Sequence, residues 1–238
     1  MIKEVALLQL KNNPNYQKNL DKILEYINSL PKDIIIVAPE VCLTDYDYDN
    51  LEEAAKFSEY ALKRLLEAVD LQILVLTLLR KEDNSYVNQA VVINRHKIVH
   101  KQNKHKLFKL GDEHKFLKAG DGSDIVKFTI DNLQYGLLIC FELRYKELWQ
   151  KLEGADIIFV PSQWGEPRKR HLEILGNALG VMNQCYVLIA NSSKDTMASS
   201  SAIYAPMGGV VIDDASECIR GFIDTKQIKF MRRYLKLY

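Results

Sequence analysis

Hydrophobic residues along this chain fall into two patterns: short continuous runs, and stretches in which they recur every third or fourth position. The continuous runs predict strands that are buried on both faces, and the recurring pattern predicts amphipathic helices. In the first third of the chain we predict strands over 2–10, 34–37 and 71–79, with helices over 14–30 and 51–69 between them. The predicted order is therefore strand, helix, strand, helix, strand.

The rest of the chain continues with shorter elements. Residues 86–93 and 97–102 are predicted to form a hairpin around the polar turn 94–96. Further strands are predicted over 124–130, 134–139, 157–160, 186–190, 203–205, 210–212 and 218–223, a loop over 161–167, and helices after Cys140, over 171–182 and over 225–237. Strands that are apolar on both faces need cover on both sides, which favours two sheets packed together between layers of helices.

Length and charge bound the function. With 238 residues, 47% of them hydrophobic, and no recognisable linker, the chain is expected to form a single α/β domain over 1–238. The net charge of +1, from 32 basic and 31 acidic residues, gives no general attraction to nucleic acid or to an anionic membrane. The lysine-rich segment 101–122 shows neither an aromatic platform nor a groove-reading motif of the kind that nucleic-acid-binding proteins carry. We therefore expect a small-molecule partner, and neither nucleic acid nor membrane.

Cysteine and histidine spacing exclude further classes. The four cysteines contain no Cys-x-x-Cys pair, and the histidines show no metal-ligand spacing, so we expect no metal and no cofactor. The apolar run 5–8 is too short for the core of a signal peptide, and the run 71–79 is interrupted by Gln72 and Thr77. Together these features predict a cytoplasmic protein.

Cys140 is the strongest candidate for chemistry. It follows the apolar run 137–139, and residues with helical spacing begin at Leu143. At such a strand-to-helix turn, unpaired backbone N–H groups and the helix dipole favour a thiolate, which is the nucleophilic form. The alternative is a buried structural cysteine, which is what we take Cys42, Cys185 and Cys218 to be.

The surroundings of Cys140 resemble a known family. Residues 136–145, 154–158 and 161–164 are similar to the nucleophile region of the nitrilase-like carbon–nitrogen hydrolases. Residues 104–108 are similar to the lysine loop of that family, and 111–116 to its glutamate-bearing stretch, while Glu40 follows an earlier strand in the family's order. The resemblance extends over essentially the whole chain. It implies a four-layer αββα sandwich and a homodimer, with either the 171–182 helix or the C-terminal helix near the contact.

The resemblance also implies roles for individual residues. Cys140 would attack an amide carbon, and Glu40 would take the thiol proton, pass it to the leaving nitrogen and then activate water. Lys104 and the backbone N–H of Phe141 would stabilise the oxyanion, and Glu113 would orient Lys104 or the substrate amine. The product of this chemistry is a thioester that water hydrolyses.

Four supporting positions differ from the family pattern. Family members usually have Asp at Glu142, His at Lys106, and Arg and Glu at Leu179 and Met182. We interpret the last two as the joint loss of a buried ion pair, since losing one partner alone would strand a charge. Glu142 and Arg144 are interpreted as a structural ion pair behind the nucleophile.

The segments 107–115 and 164–168 look most like the ω-amidase branch, which acts on 2-oxo-dicarboxylic acid monoamides such as 2-oxoglutaramate. Arg168, His114 and Trp164 are the candidate substrate-binding residues, with Arg168 facing a substrate carboxylate. An N-carbamoyl amino acid amidohydrolase is the second interpretation, and a true nitrilase the third.

Two alternatives of other kinds remain open at the level of sequence. His114 or His171 could pair with Cys140 as in a Cys-His protease, although neither lies in a stretch that specifies this pairing. The chain could also be a catalytically silent relative that serves as a binding or scaffold protein. The intact set of Glu40, Lys104, Glu113 and Cys140 argues against silence.

Overall fold

Two six-stranded sheets form the centre of the protein in the computed structural model, which describes residues 1–237. The strands are β1 (Ile2–Leu8), β2 (Ile35–Val37), β3 (Ile73–Glu82), β4 (Ser85–Asn94), β5 (Lys97–Asn103), β6 (Phe128–Ile130), β7 (Leu133–Leu137), β8 (Ile157–Ser162), β9 (Tyr186–Asn191), β10 (Ala202–Tyr204), β11 (Val210–Ile212) and β12 (Cys218–Asp224). The first sheet has the order β12-β1-β2-β3-β4-β5, and the second has the order β11-β10-β9-β8-β7-β6. In each sheet three neighbouring strands are parallel: β1, β2 and β3 in the first, and β7, β8 and β9 in the second.

Helices cover the outer faces of both sheets. The α-helices of the described residues are α1 (Tyr16–Ser29), α2 (Leu51–Ala68), α3 (Glu113–Phe116), α4 (Lys146–Lys151), α5 (Lys169–Met182) and α6 (Thr225–Tyr234). Buried residues of α1 and α2 share one hydrophobic cluster with the outward face of the first sheet, while buried residues of α4 and α5 pack with the second sheet. Within the described residues, no helix has the length and apolar composition needed to cross a membrane.

Side-chain alternation explains why the strands read as unbroken apolar runs. In β1, Val5 and Leu7 face the core between the sheets, and Ala6 and Leu8 face α1 and α2. Because successive side chains of a strand point to opposite faces, a strand with cover on both sides is apolar at every position. The predicted αββα sandwich is confirmed.

Several predicted boundaries were wrong. The strand predicted over 124–130 is only β6, because the Asp124 carboxylate accepts the Asn103 N–H at 2.8 Å and holds this segment at the end of β5. Pro161 and Ser162 belong to β8, where they pair with β9, and not to a loop. The C-terminal helix ends at Tyr234 instead of continuing to residue 237.

Two of the candidate catalytic residues lie just after the ends of parallel strands. Glu40 follows β2, and Cys140 follows β7, which lies in the other sheet. The Glu40 N–H donates to the Ser162 carbonyl at 3.2 Å, so the ends of β2 and β8 are joined across the two sheets. The functional groups of both sheets therefore meet at one edge of the sandwich.

Candidate active site

Cys140 lies at a sharp turn where the chain leaves β7. It opens a short 3-10 segment, Cys140–Arg144, with a φ of 50°, a left-handed conformation that is strained for a residue with a side chain. The buried Glu142 carboxylate holds this turn, since it accepts the N–H groups of Ile139 at 2.7 Å and His105 at 2.6 Å. The nucleophile turn is thereby fastened to the segment that carries Lys104.

The predicted ion pair between Glu142 and Arg144 was wrong. The Glu142 oxygens point inward to backbone N–H groups, whereas the Arg144 guanidinium donates to His171 Nδ1 at 3.0 Å and lies 4.6 Å from the Trp164 ring. Burial raises the pKa of Glu142 to about 7, against the opposing effect of those N–H donors. The Glu142 carboxylate therefore binds the backbone on the buried side of the turn, whereas the Arg144 guanidinium contacts His171 and Trp164.

Lys104 joins two buried carboxylates. Its Nζ lies 2.7 Å from Glu40 Oε1 and 2.7 Å from Glu113 Oε1, and the three side chains are almost completely buried. Burial acts to lower the pKa of Lys104, but the two carboxylates outweigh it and hold the pKa above its usual value. Burial also raises the pKa of Glu113, with Lys104 opposing and Glu40 adding to the shift. The structure thus brings three of the predicted residues into one hydrogen-bonded cluster.

The surroundings of Cys140 disfavour the thiolate that its position at a strand-to-helix turn led us to expect. Burial raises its pKa well above the ordinary value, the Glu40 carboxylate raises it further, and Lys104 and the Gln163 N–H, 3.4 Å from the sulfur, oppose the shift. The helical segment at Cys140 is too short and the site too enclosed for the dipole to prevail. Nucleophilic attack by this sulfur would require a base to take its proton, and Glu40 is adjacent.

Two members of the cluster were missed in the sequence. The Tyr46 hydroxyl lies 2.7 Å from Glu40 Oε1 and 2.9 Å from Glu113 Oε1, and Asn88 Nδ2 donates to Glu40 Oε1 at 2.9 Å. Asn88 could have been noticed as a polar residue within the strand predicted over 86–93. In the structure its side chain is fully buried. Tyr46 carried no comparable signal, because it lies in an irregular segment.

A small cleft opens above Cys140. Its lining consists of Phe108, Cys140, Phe141, Arg144, Gln163, Trp164 and Arg168. Two of the three candidate substrate-binding residues, Trp164 and Arg168, therefore lie at the cleft, whereas His114 is exposed on α3 and is not part of the lining. Phe141 is in the first turn of the 3-10 segment, where backbone N–H groups lack acceptors within the helix.

The cleft carries positive charge at its rim. The Arg168 guanidinium lies 5.1 Å from the Phe108 ring, and partial burial together with Arg168 lowers the pKa of Arg144. In the part of the chain that the structure describes, neither guanidinium forms a salt bridge with a carboxylate. The buried Trp164 Nε1–H likewise has no acceptor among residues 1–237.

The remaining altered positions lie away from the cleft. Lys106 forms a salt bridge with Glu147 at 3.2 Å. Leu179 packs against the core beside the second sheet, but Met182 is 65% exposed in the protomer. Within one protomer a residue at position 182 would be solvated, so burial of an ion pair at positions 179 and 182 would require a partner subunit, and the interpretation stays a prediction.

Comparisons with known proteins agree with this geometry. The model of the carbon–nitrogen hydrolase family matches residues 4–228. The chain is 29% identical to the 2-oxoglutaramate amidase of Bacillus subtilis (strain 168) over 216 residues, which are 86% of this chain and 83% of that protein.

Solved structures share the fold. Nit3 of Saccharomyces cerevisiae, a member of branch 10 of the nitrilase superfamily, superposes with a TM-score of 0.86 at 22% identity, covering 99% of this chain and 95% of that one. A variant of the amidase from Nesterenkonia sp. AN1, with an acetamide moiety added covalently at its active-site cysteine, gives a TM-score of 0.82 at 17% identity, covering 98% and 97%.

Proposed function

Since this chain belongs to the carbon–nitrogen hydrolase family, we propose that it is an amidase of the ω-amidase type, which releases ammonia from the terminal amide of a small carboxylate-bearing substrate such as 2-oxoglutaramate. The reaction would pass through a thioester on Cys140. The observation that carries the substrate class is the pair of unbridged guanidinium groups, Arg144 and Arg168, at the rim of the cleft.

The first half of the proposed mechanism forms the thioester. As Cys140 Sγ attacks the amide carbon, Glu40 takes the thiol proton, which the raised pKa of Cys140 makes necessary. Lys104 Nζ and the Phe141 N–H stabilise the negative oxygen that develops. Glu40 then passes the proton to the nitrogen, the C–N bond breaks, and ammonia leaves.

The second half hydrolyses the thioester. Glu40, ionised again, takes a proton from a water molecule as its oxygen attacks the carbonyl carbon. The C–S bond breaks, the sulfur recovers its proton from Glu40, and the carboxylic acid product leaves. Glu113 supports both halves by holding Lys104 Nζ at 2.7 Å from its own oxygen.

The substrate carboxylate would lie between Arg144 and Arg168. Two neighbouring cations without a carboxylate partner repel each other, and an anion between them relieves that repulsion. The Trp164 indole N–H, buried at the same cleft and without an acceptor among residues 1–237, supplies a further donor for a 2-oxo group or for the carboxylate.

The decisive experiment is ammonia release from a panel of 2-oxoglutaramate, N-carbamoyl-β-alanine and small nitriles. We expect 2-oxoglutaramate to exceed the carbamoyl compound, and Cys140→Ala to abolish turnover. Fast turnover of the carbamoyl compound with none of the 2-oxo amide would make an N-carbamoyl amidohydrolase the correct assignment. It would leave the Cys140 mechanism in place.

The role of Arg168 is tested by Arg168→Ala with Arg170→Ala as the matched control. Loss of a charge-assisted contact should raise KM for 2-oxoglutaramate about 10- to 100-fold. Amides without a carboxylate should be turned over as before. Arg170 is exposed and faces Glu173 at 3.4 Å, so its removal should leave KM within about twofold.

Selective labelling of the cysteines tests the alternative of a catalytically silent scaffold. Stoichiometric iodoacetamide should modify Cys140 before the other three thiols, because Glu40 lies beside Cys140 and can take its proton. Cys42 and Cys185 are buried away from the cleft, and Cys218, which is partly exposed, does not line it. Equal labelling of all four cysteines would favour the scaffold. The mechanism needs Cys140 as a free thiol, and a reducing compartment such as the cytoplasm is the proposed location.

We also propose a homodimer through α5 and β11. Both carry exposed apolar residues, Ile174 and Met182 on the helix and Val210, Val211 and Ile212 on the strand, which is at the edge of its sheet. An exposed apolar edge strand is a liability unless another chain covers it.

The dimer proposal is tested by light scattering at micromolar concentration. Val211→Lys should give a monomer. Ile98→Lys, on the edge strand β5 of the other sheet, should remain a dimer. A monomeric wild-type protein would contradict the proposal.

A further inference from the structure

The Tyr46 hydroxyl lies between the two carboxylates of the catalytic cluster. Its oxygen is 2.7 Å from Glu40 Oε1 and 2.9 Å from Glu113 Oε1. The same oxygen also lies within hydrogen-bond distance of two nitrogen donors, Asn88 Nδ2 at 3.0 Å and Lys104 Nζ at 3.2 Å. Nothing in the amidase chemistry described above uses this hydroxyl. Its position suggests a role in deciding which carboxylate is charged.

Hydrogen-bond counting shows that one proton is missing from the fully ionised cluster. A phenol has a single proton, so it can donate to only one of the two carboxylates. If both were ionised, the other carboxylate oxygen would face the phenol oxygen at less than 3 Å with no proton between them. A proton on one carboxyl group turns this repulsive contact into a second hydrogen bond.

Charge counting leads to the same result independently. With both carboxylates ionised, Lys104 protonated and Cys140 neutral, the cluster has a net charge of −1. Glu40, Lys104 and Glu113 are each at most 3% exposed, and an uncompensated charge at such depth is costly. One additional proton makes the cluster neutral.

The donors decide where this proton resides. Glu40 Oε1 accepts from Lys104 at 2.7 Å and from Asn88 at 2.9 Å before Tyr46 is counted. Glu113 Oε1 accepts from Lys104 alone, and its Oε2 accepts the Phe108 N–H at 3.0 Å, as the carbonyl oxygen of a neutral carboxyl group would. Glu40 is therefore the better stabilised anion.

We propose that Glu40 and Glu113 share one proton in the resting enzyme, and that Tyr46 holds it on Glu113 by donating its own proton to Glu40. The Glu113 O–H donates to the Tyr46 oxygen, and the Tyr46 O–H donates to Glu40. If both protons shift along this chain, Glu40 becomes protonated and Glu113 ionised, with no change in total charge.

The shared proton matters because the reaction creates an anion. Formation of the oxyanion adds negative charge to the site. A cluster with a net negative charge would repel this oxyanion, whereas a neutral cluster does not. The inference rests on the proposed function only in requiring Glu40 as the base. Tyr46 is a positioning residue, since it acts through Glu40 and is assigned no contact with the substrate.

Several groups face the Tyr46 hydroxyl, and each affects its titration. They are Glu40 from the segment after β2, Lys104 after β5, Glu113 at the start of α3 and Cys140 after β7, with the Tyr48 ring beside it. Burial, followed by Glu40 and Glu113, raises the pKa of Tyr46 well above its usual value. Tyr46 therefore keeps its proton and acts as a hydrogen-bond donor throughout the working range of pH.

Infrared difference spectroscopy tests the shared proton without any substrate. The spectrum of resting wild-type protein minus that of Glu113→Gln at neutral pH should contain one protonated-carboxyl band. Glu142, which is also buried, contributes equally to both spectra and cancels. Absence of the band would overturn the proposal.

The role of Tyr46 is tested by the pH dependence of Cys140 alkylation with iodoacetamide. Alkylation requires ionised Glu40 and falls on the acid side. Tyr46→Phe removes a hydrogen-bond donor to the Glu40 carboxylate, so the Glu40–Glu113 pair binds its second proton more readily. The midpoint, which is the pH at which the alkylation rate falls to half on the acid side, should therefore rise by about one to two units. Tyr48→Phe removes a hydroxyl that donates to the Gly111 carbonyl, and should leave the midpoint unchanged.

The outcomes separate the two proposals. A slower alkylation rate with an unmoved midpoint would mean that Tyr46 only packs, and would refute the inference. A shifted midpoint in a protein that releases no ammonia from any amide would refute the proposed function and retain the shared proton. If Tyr46→Phe does not fold, the infrared measurement on wild-type protein still decides whether the proton is present.

Discussion

Replacing Lys104 with methionine removes the cation between two buried carboxylates. Methionine has a similar length, so the substitution leaves little empty volume, and the main cost is electrostatic. Removing one partner of a buried charge pair costs about 3–5 kcal/mol, and Lys104 has two partners at 2.7 Å. The free energy of unfolding at neutral pH should fall by at least the lower end of this range.

This loss should depend on pH with a defined sign. Without the ammonium group, the buried Glu113, whose pKa burial already raises, takes up a proton at higher pH than the same residue in the unfolded chain. The native variant then binds more protons than the unfolded variant, so its stability falls as pH rises above the ordinary carboxyl pKa. In the wild type, Lys104 stays charged below the ordinary lysine pKa and the carboxyl pair holds only the one shared proton. The variant's pair binds one proton more than the wild-type pair, so the difference in stability between the proteins should widen from pH 5 to pH 8.

Activity should fall together with stability. A lost oxyanion donor costs about 2.7–4 kcal/mol, which is a decrease of about 10²–10³ in kcat. Urea unfolding at several pH values and ammonia release from 2-oxoglutaramate measure the two effects. Lys106→Met is the matched control, because its partner Glu147 is exposed and the pair should contribute less than about 1 kcal/mol. A kcat within tenfold of wild type, or an equal loss of stability at pH 5 and pH 8, would refute the reasoning.

Four further substitutions, the last of them a control, test separate parts of the structure. Glu40→Gln should abolish turnover without loss of secondary structure, and mass spectrometry should find no accumulated acyl-enzyme. Glu142→Gln replaces an acceptor oxygen with a donor and should lower the free energy of unfolding by about 1–3 kcal/mol in urea titrations. Gly176→Ala should cost about 1–3 kcal/mol, because its Cβ would lie 2.5 Å from the Tyr204 ring, whereas Gly209→Ala has its nearest neighbour at 3.7 Å and should be within about 0.5 kcal/mol of wild type.

Local sequence patterns predicted most of the secondary structure correctly. Helix α2, predicted over 51–69, spans Leu51–Ala68, and the hairpin of β4 and β5 forms around Arg95 and His96, both with positive φ. These elements depend on apolar spacing and turn residues, which a short stretch of sequence contains. The strand over 124–130 failed because the partner of Asp124, the Asn103 N–H, lies 21 positions away.

The candidate site was likewise predicted only in part from the sequence. The residue types and order of Glu40, Lys104, Glu113 and Cys140 were readable from the sequence, because each belongs to a motif or follows a predicted strand. The contacts of Tyr46 and Asn88 and the true partners of Arg144 and Glu142 were not readable. Their hydrogen bonds join segments up to 67 positions apart, at an edge where two sheets meet.

The charge state of Cys140 shows why the tertiary structure was needed. Sequence places the thiol at the start of a helical turn and thereby predicts a thiolate, since only local groups can be considered. Folding adds burial and a neighbouring carboxylate from the other sheet, and these raise the pKa of Cys140 instead. The sequence therefore determined which groups are present and in what order, whereas burial and long-range proximity, which exist only in the folded chain, decided which of them carry protons.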